Sequence, residues 1–147
     1  MIRELELVDI DDSYFKLLCQ LSGKQQRGCS IPWGVAMGFW LKYEDNDYHQ
    51  TYVYEEEGDV IATATALIEH KLLHYGSSVG HIEDVVVDKD TRLSGIGKKL
   101  IEKCVQFCED NLCYKVILDC SKENIPFYES CGFTYSENCM RKDLVHG

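Results

Sequence analysis

The fold is decided by one stretch, Arg92-Leu93-Ser94-Gly95-Ile96-Gly97-Lys98-Lys99, which joins a β-branched strand to an amphipathic helix. The strand is predicted at His81–Val87, and the helix carries apolar residues at three-and-four spacing from Leu100 to Cys108. A compact apolar strand follows at Tyr114–Cys120. Strand, helix and strand in this order form a βαβ unit, so we expect the two strands to lie parallel in one sheet.

Further elements are predicted on both sides of this unit. They are a short strand at Arg3–Val8, a helix after Asp11 and Asp12 through Leu21, a helix from Ser30 and Pro32 through Leu41, a β-hairpin of Thr51–Glu56 and Val60–Glu69 around Gly58-Asp59, a loop at Asp88–Lys98, a short helix at Asn124–Cys131 and a final strand at Phe133–Arg141. The sequence therefore predicts an α/β fold in which helices flank a mixed central sheet.

The composition excludes several classes of function. The chain has 147 residues, and 15 Lys plus Arg against 25 Asp plus Glu give a net charge of −10. General binding to nucleic acid or to a membrane surface needs a large basic field, so both partners are excluded. A small anionic ligand needs only a few local donors and stays compatible with this charge. No apolar run reaches the ~20 residues of a transmembrane helix.

The cysteines indicate the cellular compartment. The N-terminus has neither the basic region nor the apolar stretch of a signal peptide. Eight cysteines without such a signal indicate free thiols in a reducing compartment. We therefore expect an intracellular protein, cytoplasmic by default, with import into an organelle left open. No linker or internal repeat divides the chain, so we expect one domain.

The glycine loop has the chemistry of a diphosphate site. Gly95 and Gly97 let backbone N–H groups approach a ligand, and the helix N-terminus adds partial positive charge. Full positive charges come from Arg92, Lys98 and Lys99. A Walker A loop would need Ser or Thr after Lys98, and a dinucleotide fingerprint would need a glycine at position 100, so both motifs fail. The alternative is a helix entry with a glycine-containing turn and solvated lysines.

The spacing Arg92-x-x-Gly95-x-Gly97 at a strand-to-helix junction resembles the acetyl-CoA pyrophosphate loop of the GNAT N-acetyltransferases. The flanking segments are similar to one family within this superfamily, the eukaryotic glucosamine-6-phosphate N-acetyltransferases. These segments are Ile68-Glu69-His70-Lys71-x-x-His74, Gly80-His81-Ile82-Glu83-Asp84-Val85-Val86-Val87, Cys113-Tyr114-Lys115-Val116-Ile117-Leu118-Asp119-Cys120 and Asn124-x-x-Phe127-Tyr128-Glu129-x-Cys131-Gly132-Phe133. The likeness runs from Val60 to Phe133, about half of the chain.

The resemblance implies both the fold and the activity. The fold would be the GNAT acetyltransferase fold, with strands that splay apart at the acetyl-CoA site, and residues 1–147 would form a single N-acetyltransferase domain. The activity would be transfer of the acetyl group of acetyl-CoA to the 2-amino group of D-glucosamine 6-phosphate, by direct attack in a ternary complex. The product, N-acetylglucosamine 6-phosphate, leads towards UDP-N-acetylglucosamine. The resemblance also implies a homodimer whose subunits complete the sugar site for each other.

Three residues are the catalytic candidates that the resemblance implies. Tyr128 matches the position of a general acid or hydrogen-bond donor for the CoA sulfur. Glu83 and Asp119 could accept the proton of the amine, directly or through water. With Asp84, they lie at the ends of two strands that diverge in this fold. The alternatives are a core aromatic for Tyr128 and solvent-facing acids at the strand ends.

The resemblance also implies binding residues for the two substrates. Acetyl-CoA is expected to contact Val85, Val86, Val87, Arg92, Leu93, Ser94, Gly95, Ile96, Gly97, Lys98, Asn124 and Tyr128. The Val85 N–H is the candidate donor to the thioester carbonyl oxygen, and Val85–Val87 would pair with the pantetheine arm like an added strand. The sugar phosphate is expected to contact Ser22, Lys71, His74, Glu83, Asp84, Asp119 and Arg141, with Lys142 as the alternative to Arg141 and a helix-end hydroxyl as the alternative role of Ser22.

The cysteines are predicted to be core thiols rather than metal ligands, and no metal cofactor is expected. No Cys-x-x-Cys pair occurs, and a zinc site would need ligands from at least two places in tetrahedral geometry. Cys104 and Cys108 fall on one helical face. Cys120 and Cys131 are expected to pack in the core rather than to carry acyl groups.

Two other functions are compatible with the same fold. One is acetylation of a different small amine, which Lys71-x-x-His74 together with Glu83-Asp84 disfavours. The other is a catalytically silent sensor of acetyl-CoA, which Tyr128 and Asp119 disfavour. A protein acetyltransferase is also disfavoured, because these acids and cations suit a compact anionic sugar.

Overall fold

The structure is a computed structural model, and it describes residues 1–22 and 27–146. The strands in this part of the chain are β1 Ile2–Glu4, β2 His49–Glu56, β3 Asp59–His70, β4 Ser78–Val87 and β5 Cys113–Ile117. The helices are α1 Asp12–Cys19, α2 Trp33–Tyr43, α3 Leu73–Gly76, α4 Ile96–Asp110 and α5 Ile125–Ser130, with 3-10 turns at Leu7–Asp9, Arg27–Cys29 and Lys122–Asn124. None of the described helices has the length and apolar character needed to cross a membrane.

The five strands form one mixed sheet in the order β1-β2-β3-β4-β5. Neighbouring strands are antiparallel from β1 to β4. Strand β5 runs parallel to β4, because α4 carries the chain back to the end of the sheet where β4 began. The predicted α/β fold with a mixed sheet is therefore confirmed, as is the predicted βαβ unit, which is β4-α4-β5.

Helix α4 covers one face of the sheet. Its buried residues pack on alternate residues of β3, namely Ala62, Ala64 and Ala66, which are fully buried. Small side chains at these positions let the helix lie close to the sheet. Near the C-terminal end of α4, Cys108 packs so tightly on Gly80 of β4 that a Cβ at Gly80 would overlap the Cys108 Sγ. Both contacts fix the distance between α4 and the sheet.

Helices α1 and α2 cover the opposite face. Leu5, Tyr14, Tyr43 and Val53 form a second buried cluster there. The Tyr14 hydroxyl lies 3.1 Å from the Thr63 Oγ1, so this buried polar group is paired. Burial raises the pKa of Tyr14 to about 12. The phenol therefore stays protonated at neutral pH, and its hydrogen bond joins α1 to β3.

Strand β4 leaves β5 after a short stretch of pairing. The parallel register ends at His81 opposite Ile117, and β5 ends there too, three residues before its predicted end at Cys120. Strand β4 continues to Val87 beside β3, with a bulge in their ladder and a positive φ of 50° at Asp84. An extra residue in one strand leaves backbone groups outside the ladder and bends the strand. The two strands therefore splay apart, as the fold class predicts.

The predicted final strand at Phe133–Arg141 is wrong. Neither edge strand of the sheet, β1 or β5, pairs with this segment, and residues 134–146 form no helix or strand. An extended segment becomes a strand only when a partner satisfies its backbone N–H and C=O groups. The side chains of this segment favour a strand, but no described strand of the same chain lies beside it to form the backbone hydrogen bonds. These residues are exposed, including Tyr135 and Met140.

The predicted first strand at Arg3–Val8 is shorter than expected. It ends at Glu4, because the Asp9 carboxylate folds the next residues into a 3-10 turn. This carboxylate pairs with the Arg3 guanidinium at 2.7 Å and accepts the Glu6 backbone N–H at 2.8 Å. Local side-chain bonds of this kind compete directly with a ladder.

Helix α4 and strand β4 also begin earlier than predicted. Helix α4 begins at Ile96, inside the predicted loop Asp88–Lys98, because the turn at Gly95 already starts the helix. Strand β4 begins at Ser78, because β3 extends as far as His70 and pairs with it.

Candidate active site

A cavity of about 280 Å³ lies beside the part of β4 that has left β5. Its lining comes from three separate segments and consists of Val85, Val87, Leu93, Gly95, Ile96, Gly97, Asn124, Phe127 and Tyr128. All of these except Phe127 belong to the set that the sequence predicts for acetyl-CoA. The fold therefore assembles β4, the glycine loop and α5 around one opening. The sequence could have indicated Phe127 as well, because it precedes Tyr128 on the short helix that is predicted to carry that residue.

The two glycines of the loop have different structural roles. Gly95 is the N-cap of α4 with φ 79° and ψ 0°, a left-handed conformation that costs other residues roughly 1–2 kcal/mol. At Gly97 the backbone φ is not positive. A Cβ there would lie 3.1 Å from the Phe127 Cζ and 3.5 Å from the Val87 Cγ2. Close packing, rather than backbone conformation, therefore favours glycine at position 97.

The start of α4 suits an anion. The N-cap residue is Gly95, which has no side chain to accept a hydrogen bond from the first turn of the helix. The backbone N–H groups of this turn are therefore left for a ligand. The helix has 15 residues, and its dipole adds partial positive charge at this end. The side chains of Arg92, Lys98 and Lys99 are exposed beside it. This arrangement is the usual one for binding a phosphate group.

Four of the predicted acetyl-CoA residues lie outside the cavity lining: Val86, Arg92, Ser94 and Lys98. Val85 and Val87 pack on the α4 side of the sheet, so the alternation of the strand turns the buried Val86 side chain to the other face. Only the backbone of Val86 can face a ligand here. The other three residues are exposed and border the opening.

Tyr128 lies half-buried on α5. Its ring packs edge-on against Phe127 and Phe133, with 4.9 Å and 6.1 Å between ring centroids. Burial raises the pKa of Tyr128, and the nearby thiols of Cys120 and Cys131 raise it further. The phenol therefore stays protonated near neutral pH and can donate a hydrogen bond or a proton towards the cavity.

Three predicted carboxylates gather where β4 and β5 part. Glu83 and Asp84 belong to β4, and Asp119 follows β5 by two residues. Partial burial raises the pKa of Glu83, and the negative charges of Asp84 and Asp119 raise it further. Mutual repulsion favours a cation in their midst, and the raised pKa makes the Glu83 carboxylate a better proton acceptor.

Cys139 joins this acidic group, which the sequence does not indicate. Its thiol hydrogen-bonds the Asp119 carboxylate, and this bond raises the pKa of the Cys139 thiol, whereas the positive charge of Arg141 lowers it. Arg141 therefore lies within electrostatic range of the group, with its guanidinium 2.7 Å from the Asp143 carboxylate. No local spacing could reveal this contact, because the C-terminal segment is not held by a ladder.

Glu69 contacts the side chains of Lys71 and His81 at the end of β3. One carboxylate oxygen lies 3.0 Å from the Lys71 Nζ, and the other lies 3.0 Å from the His81 Nε2. These bonds lower the pKa of Glu69, with His81 as the larger cause. His74 stacks on the Tyr114 ring at 4.0 Å between centroids. The sequence did not reveal this role of Glu69, because the contact depends on the register between β3 and β4, in which Glu69 lies diagonally opposite His81.

Ser22 lies just beyond α1 and does not line the cavity. Its Oγ donates to the Cys19 carbonyl at 3.1 Å, which is the helix-end arrangement. The side chain is exposed and so is accessible to a ligand as well.

All eight cysteines are free thiols. Cys104 and Cys108 are fully buried under α4, and Cys131 packs against the same core. The expected core packing is wrong for Cys120 and Cys139, which are exposed because neither packs against the buried clusters. Across residues 1–22 and 27–146, no three His, Cys, Asp or Glu side chains are placed to hold a metal ion.

A larger cavity of about 680 Å³ lies between the first 3-10 turn and the start of α2. It is lined by Leu7, Val8, Ile10, Asp11, Asp12, Ile31, Trp33 and Ala36. None of these is a predicted site residue, and Asp11 is occupied as the N-cap of α1. We therefore place the candidate active site at the smaller cavity, where a phenol and an anion-binding helix end converge.

Comparison with known proteins gives a family match. Residues 18–133 match the acetyltransferase (GNAT) family. The chain is 39% identical to a glucosamine 6-phosphate N-acetyltransferase of Arabidopsis thaliana over 148 aligned residues, which cover 96% of this chain and 94% of that protein. It is 35% identical to a protein of the same name from Candida albicans, over 89% of this chain and 87% of that one.

A solved structure agrees with this match. The crystal structure of the Arabidopsis thaliana glucosamine-6-phosphate N-acetyltransferase superposes with a TM-score of 0.87 at 38% identity. The superposition covers 97% of each chain. The likeness therefore includes the N-terminal helices as well as the central βαβ unit.

Replacing Gly97 with Val should weaken acetyl-CoA binding while the domain stays folded. The added side chain would press on the Phe127 ring and occupy the first turn of α4, where backbone N–H groups are left for a phosphate. We expect roughly a tenfold to hundredfold loss of affinity, the size expected for losing a charge-assisted hydrogen bond. Calorimetry measures the affinity, and circular dichroism checks the fold.

Gly38→Ala is the matched control for this variant. Gly38 lies in α2, and an added Cβ there has nothing within 4 Å. Acetyl-CoA affinity should be unchanged in this control. A folded Gly97→Val protein with undiminished affinity would show that the ligand does not bind at the glycine loop.

Proposed function

Because the chain belongs to the acetyltransferase (GNAT) family, we propose that it transfers the acetyl group of acetyl-CoA to the 2-amino group of D-glucosamine 6-phosphate. One observation carries the proposal: the anion-binding start of α4 and the protonated phenol of Tyr128 line one cavity beside the part of β4 that has left β5. The carboxylates of Glu83 and Asp119 lie within electrostatic range of each other where the two strands part. Acyl transfer to an amine needs a base, a polarised carbonyl and a donor for the leaving group. The names of the relatives support this sugar as the acceptor.

The glycine loop would hold the diphosphate of acetyl-CoA. Gly97 is the supporting observation, because a side chain there would fill the space between the start of α4 and the Phe127 ring. Arg92 and Lys98 would contribute charge from the rim. The backbone of Val85–Val87 would hold the pantetheine arm, since β5 does not pair with this part of β4. When bound, acetyl-CoA supplies the acetyl group as a thioester.

The bulge in β4 supports a fixed donor for the thioester carbonyl oxygen. Asp84 has a positive φ, and the ladder register shifts across this position. The Val85 N–H follows directly and would donate to that oxygen as negative charge develops on it. A backbone donor is effective here because it needs no reorganisation during the reaction.

The carboxylates would prepare the amine of the sugar. Asp84 and Asp119 would hold the ammonium form, and Glu83, with its raised pKa, would take the proton directly or through water, with Asp119 as the second acceptor. Tyr128 would then donate a proton to the departing thiolate. Because the phenol lines the cavity beside β4, the strand that also carries Glu83 and Asp84, we propose direct attack of the amine on the thioester with both substrates bound.

Cations near the ends of β3 and β4 would bind the sugar phosphate. Lys71 is the main candidate, and Glu69 orients its ammonium group at 3.0 Å. His74 is held against Tyr114 by ring stacking and adds a hydrogen-bond donor. Arg141 is the third candidate and approaches the acidic group from the C-terminal segment. Ser22 would contact the sugar from the end of α1.

We further propose that the enzyme is a homodimer in which the second subunit completes the sugar site. Residues 134–146 form no helix or strand and expose large apolar side chains, namely Tyr135, Met140, Leu144 and Val145. Strand β5 is an edge of the sheet and exposes Ile117. In a dimer, residues 134–146 of one subunit would find the unpaired edge of β5 on the other. Arg141 belongs to this segment, so the second subunit would bring it to the sugar site.

The product would serve as a precursor of UDP-N-acetylglucosamine. The eight free thiols support a reducing, cytoplasmic location for this reaction.

Tyr128→Phe should lower turnover by roughly 10²–10⁴-fold, if proton donation to the thiolate belongs to the chemical step. The variant keeps the ring contacts with Phe127 and Phe133 and removes only the hydroxyl, so folding and acetyl-CoA affinity should change little. Single-turnover measurement of thiol release isolates the chemical step. Tyr48→Phe is the control, because that tyrosine is exposed and belongs to neither of the proposed sites. Near-normal single-turnover rates in Tyr128→Phe would show that the thiolate takes its proton from solvent rather than from Tyr128.

Lys71→Met should reduce kcat/KM for glucosamine 6-phosphate by about tenfold to a hundredfold, because it removes one charge-assisted contact to the phosphate. The KM for acetyl-CoA should not change. Thiol release with glucosamine 6-phosphate and with unphosphorylated glucosamine measures both effects, and Lys42→Met on α2 is the control.

The same assay tests the proposed function itself. Wild-type protein that binds acetyl-CoA and releases no thiol with either sugar would be a sensor. An equal loss with both sugars in Lys71→Met would contradict a phosphate contact.

Sedimentation equilibrium tests the dimer. The chain mass is 16.9 kDa, and we expect twice this mass at micromolar concentrations because the C-terminal segment and the edge of β5 would be covered. Truncation after Gly132 removes the segment and should shift the protein towards the monomer. A monomer at all concentrations of the full chain would contradict a shared sugar site.

A further inference from the structure

The side chain of Gln20 joins the end of α1 to the loop that follows β4. Its Nε2 donates to the Asp88 Oδ1 at 3.3 Å, and its Oε1 accepts the Lys89 backbone N–H at 3.1 Å. Gln20 and Asp88 are 68 positions apart in the sequence. A side-chain amide carries a donor and an acceptor side by side, so Gln20 contacts two consecutive residues of this loop at once.

Asp88 shapes the turn that leads from β4 towards the glycine loop. Its backbone N–H donates to the Ile61 carbonyl at 2.8 Å, which fixes Asp88 to β3. Its Oδ1 accepts the Asp90 N–H at 3.1 Å, and its carbonyl accepts the Thr91 N–H at 3.1 Å. Bonds of this kind make an aspartate the organising residue of a tight turn. Gln20 therefore donates to the very carboxylate that shapes this turn.

The turn continues directly into the acetyl-CoA cavity. The Thr91 Oγ1 accepts the Leu93 backbone N–H at 3.4 Å. Leu93 lines the cavity and precedes Gly95 by two residues. Hydrogen bonds therefore connect Gln20, through Asp88 and Thr91, to the start of the glycine loop.

The other end of this connection lies on the proposed sugar side. Gln20 directly follows α1, and its backbone N–H donates to the Leu17 carbonyl at 3.1 Å. Two residues further on, the N–H and the Oγ of Ser22 both donate to the Cys19 carbonyl, at 3.3 Å and 3.1 Å. Gln20 and Ser22 thus belong to one closed turn at the helix end. A contact that fixes Gln20 also limits the movement of Ser22.

The hydrogen bonds of this connection can open and close separately from the core. The bonds that Gln20 makes to Asp88 and Lys89 are exposed to solvent, as is the bond between Thr91 and Leu93. Exposed bonds with few buried contacts around them open at a low cost in free energy. A ligand that orders the glycine loop would keep them closed. A second ligand that needs the same order then binds at a smaller entropic cost.

We propose that Gln20 is a positioning residue that couples the two substrate sites. Acetyl-CoA bound at the glycine loop fixes the end of α1 through Gln20 and so tightens the binding of the sugar phosphate. The identity of both ligands rests on the proposed function. Because coupling between binding sites is reciprocal, the sugar phosphate tightens the binding of acetyl-CoA by the same factor. Gln20 acts through Asp88 and Ser22 and touches no reacting atom.

The coupling can be measured without turnover, because CoA has no acetyl group to transfer. Calorimetry gives the Kd of glucosamine 6-phosphate with and without saturating CoA. In the wild type we expect at least about fivefold tighter binding with CoA, the lower end of the usual coupling between sites. Gln20→Met keeps the side-chain length and removes both hydrogen bonds. In this variant the factor should fall below about twofold, while the Kd of CoA without sugar changes by less than about twofold.

Gln106→Met is the matched control. The Gln106 Nε2 donates to the Asp110 Oδ1 at 2.9 Å, a hydrogen bond of the same kind that lies within α4 and joins no second element. This control should keep the full coupling factor. A Gln20→Met protein with a lower Tm and the full coupling factor would make Gln20 a structural tie and overturn the proposal. A wild-type sugar Kd that is the same with and without CoA would also overturn it.

Amide hydrogen exchange tests the same connection without the sugar. CoA alone should slow exchange in wild-type residues 17–22 at the end of α1 by about fivefold, the coupling factor expected above, as well as in the glycine loop. In Gln20→Met, exchange should slow in the glycine loop alone. An unchanged rate at residues 17–22 of the wild type would contradict the coupling.

The two experiments separate this proposal from the proposed function. Suppose that CoA protects residues 17–22 through Gln20, and the wild type neither binds nor acetylates glucosamine 6-phosphate. The proposed function would then be wrong, while the connection from the glycine loop to α1 would stand. If CoA protected neither residues 17–22 nor the glycine loop, both proposals would be overturned.

Discussion

The loss of pairing between β4 and β5 beyond His81 and Ile117 is the constraint on which the rest of the structure depends. Beyond this point, β5 no longer pairs with the backbone of β4. Because α4 must connect these two strands, its N-terminus begins where β4 ends and lies against the opening. The chain after β5 is directed away from β4, and this divergence places α5 and Tyr128 on the far wall of the cavity.

The parts that depend on local spacing could be predicted from the sequence. The apolar period from Leu100 to Cys108 identified α4, because one helix face must be buried whatever surrounds it. Most of the cavity lining followed from the motifs beside this helix. The contact between Cys139 and Asp119 and the state of Phe133–Arg141 could not be predicted, since both depend on which partner an unpaired segment meets. Glu69 needed the strand register, which the sequence defined only approximately.

The net charge of −10 makes the local placement of cations important. A protein with this charge repels anions at a distance, so both proposed substrates must be attracted at close range. The start of α4 would do this with backbone dipoles that add no net charge. At the sheet end, Glu69 pairs with Lys71, and the proposed phosphate would have to replace this carboxylate as the partner of Lys71. The acidic residues beside Glu83 then suit the one positive group of an amino sugar phosphate.

The tight packing of Cys108 on Gly80 has a mechanical consequence. Helix α4 has 15 residues and is therefore about 22 Å long at its usual rise. Its far end rests on this contact, and its near end carries the glycine loop. If the helix tilts by about 3° at the Cys108–Gly80 contact, its other end moves by about 1 Å at the glycine loop. A displacement of this size can lower a reaction rate by about 10²-fold. A kinetic survey of random substitutions would therefore identify a second sensitive region beneath the end of α4, remote from both substrates.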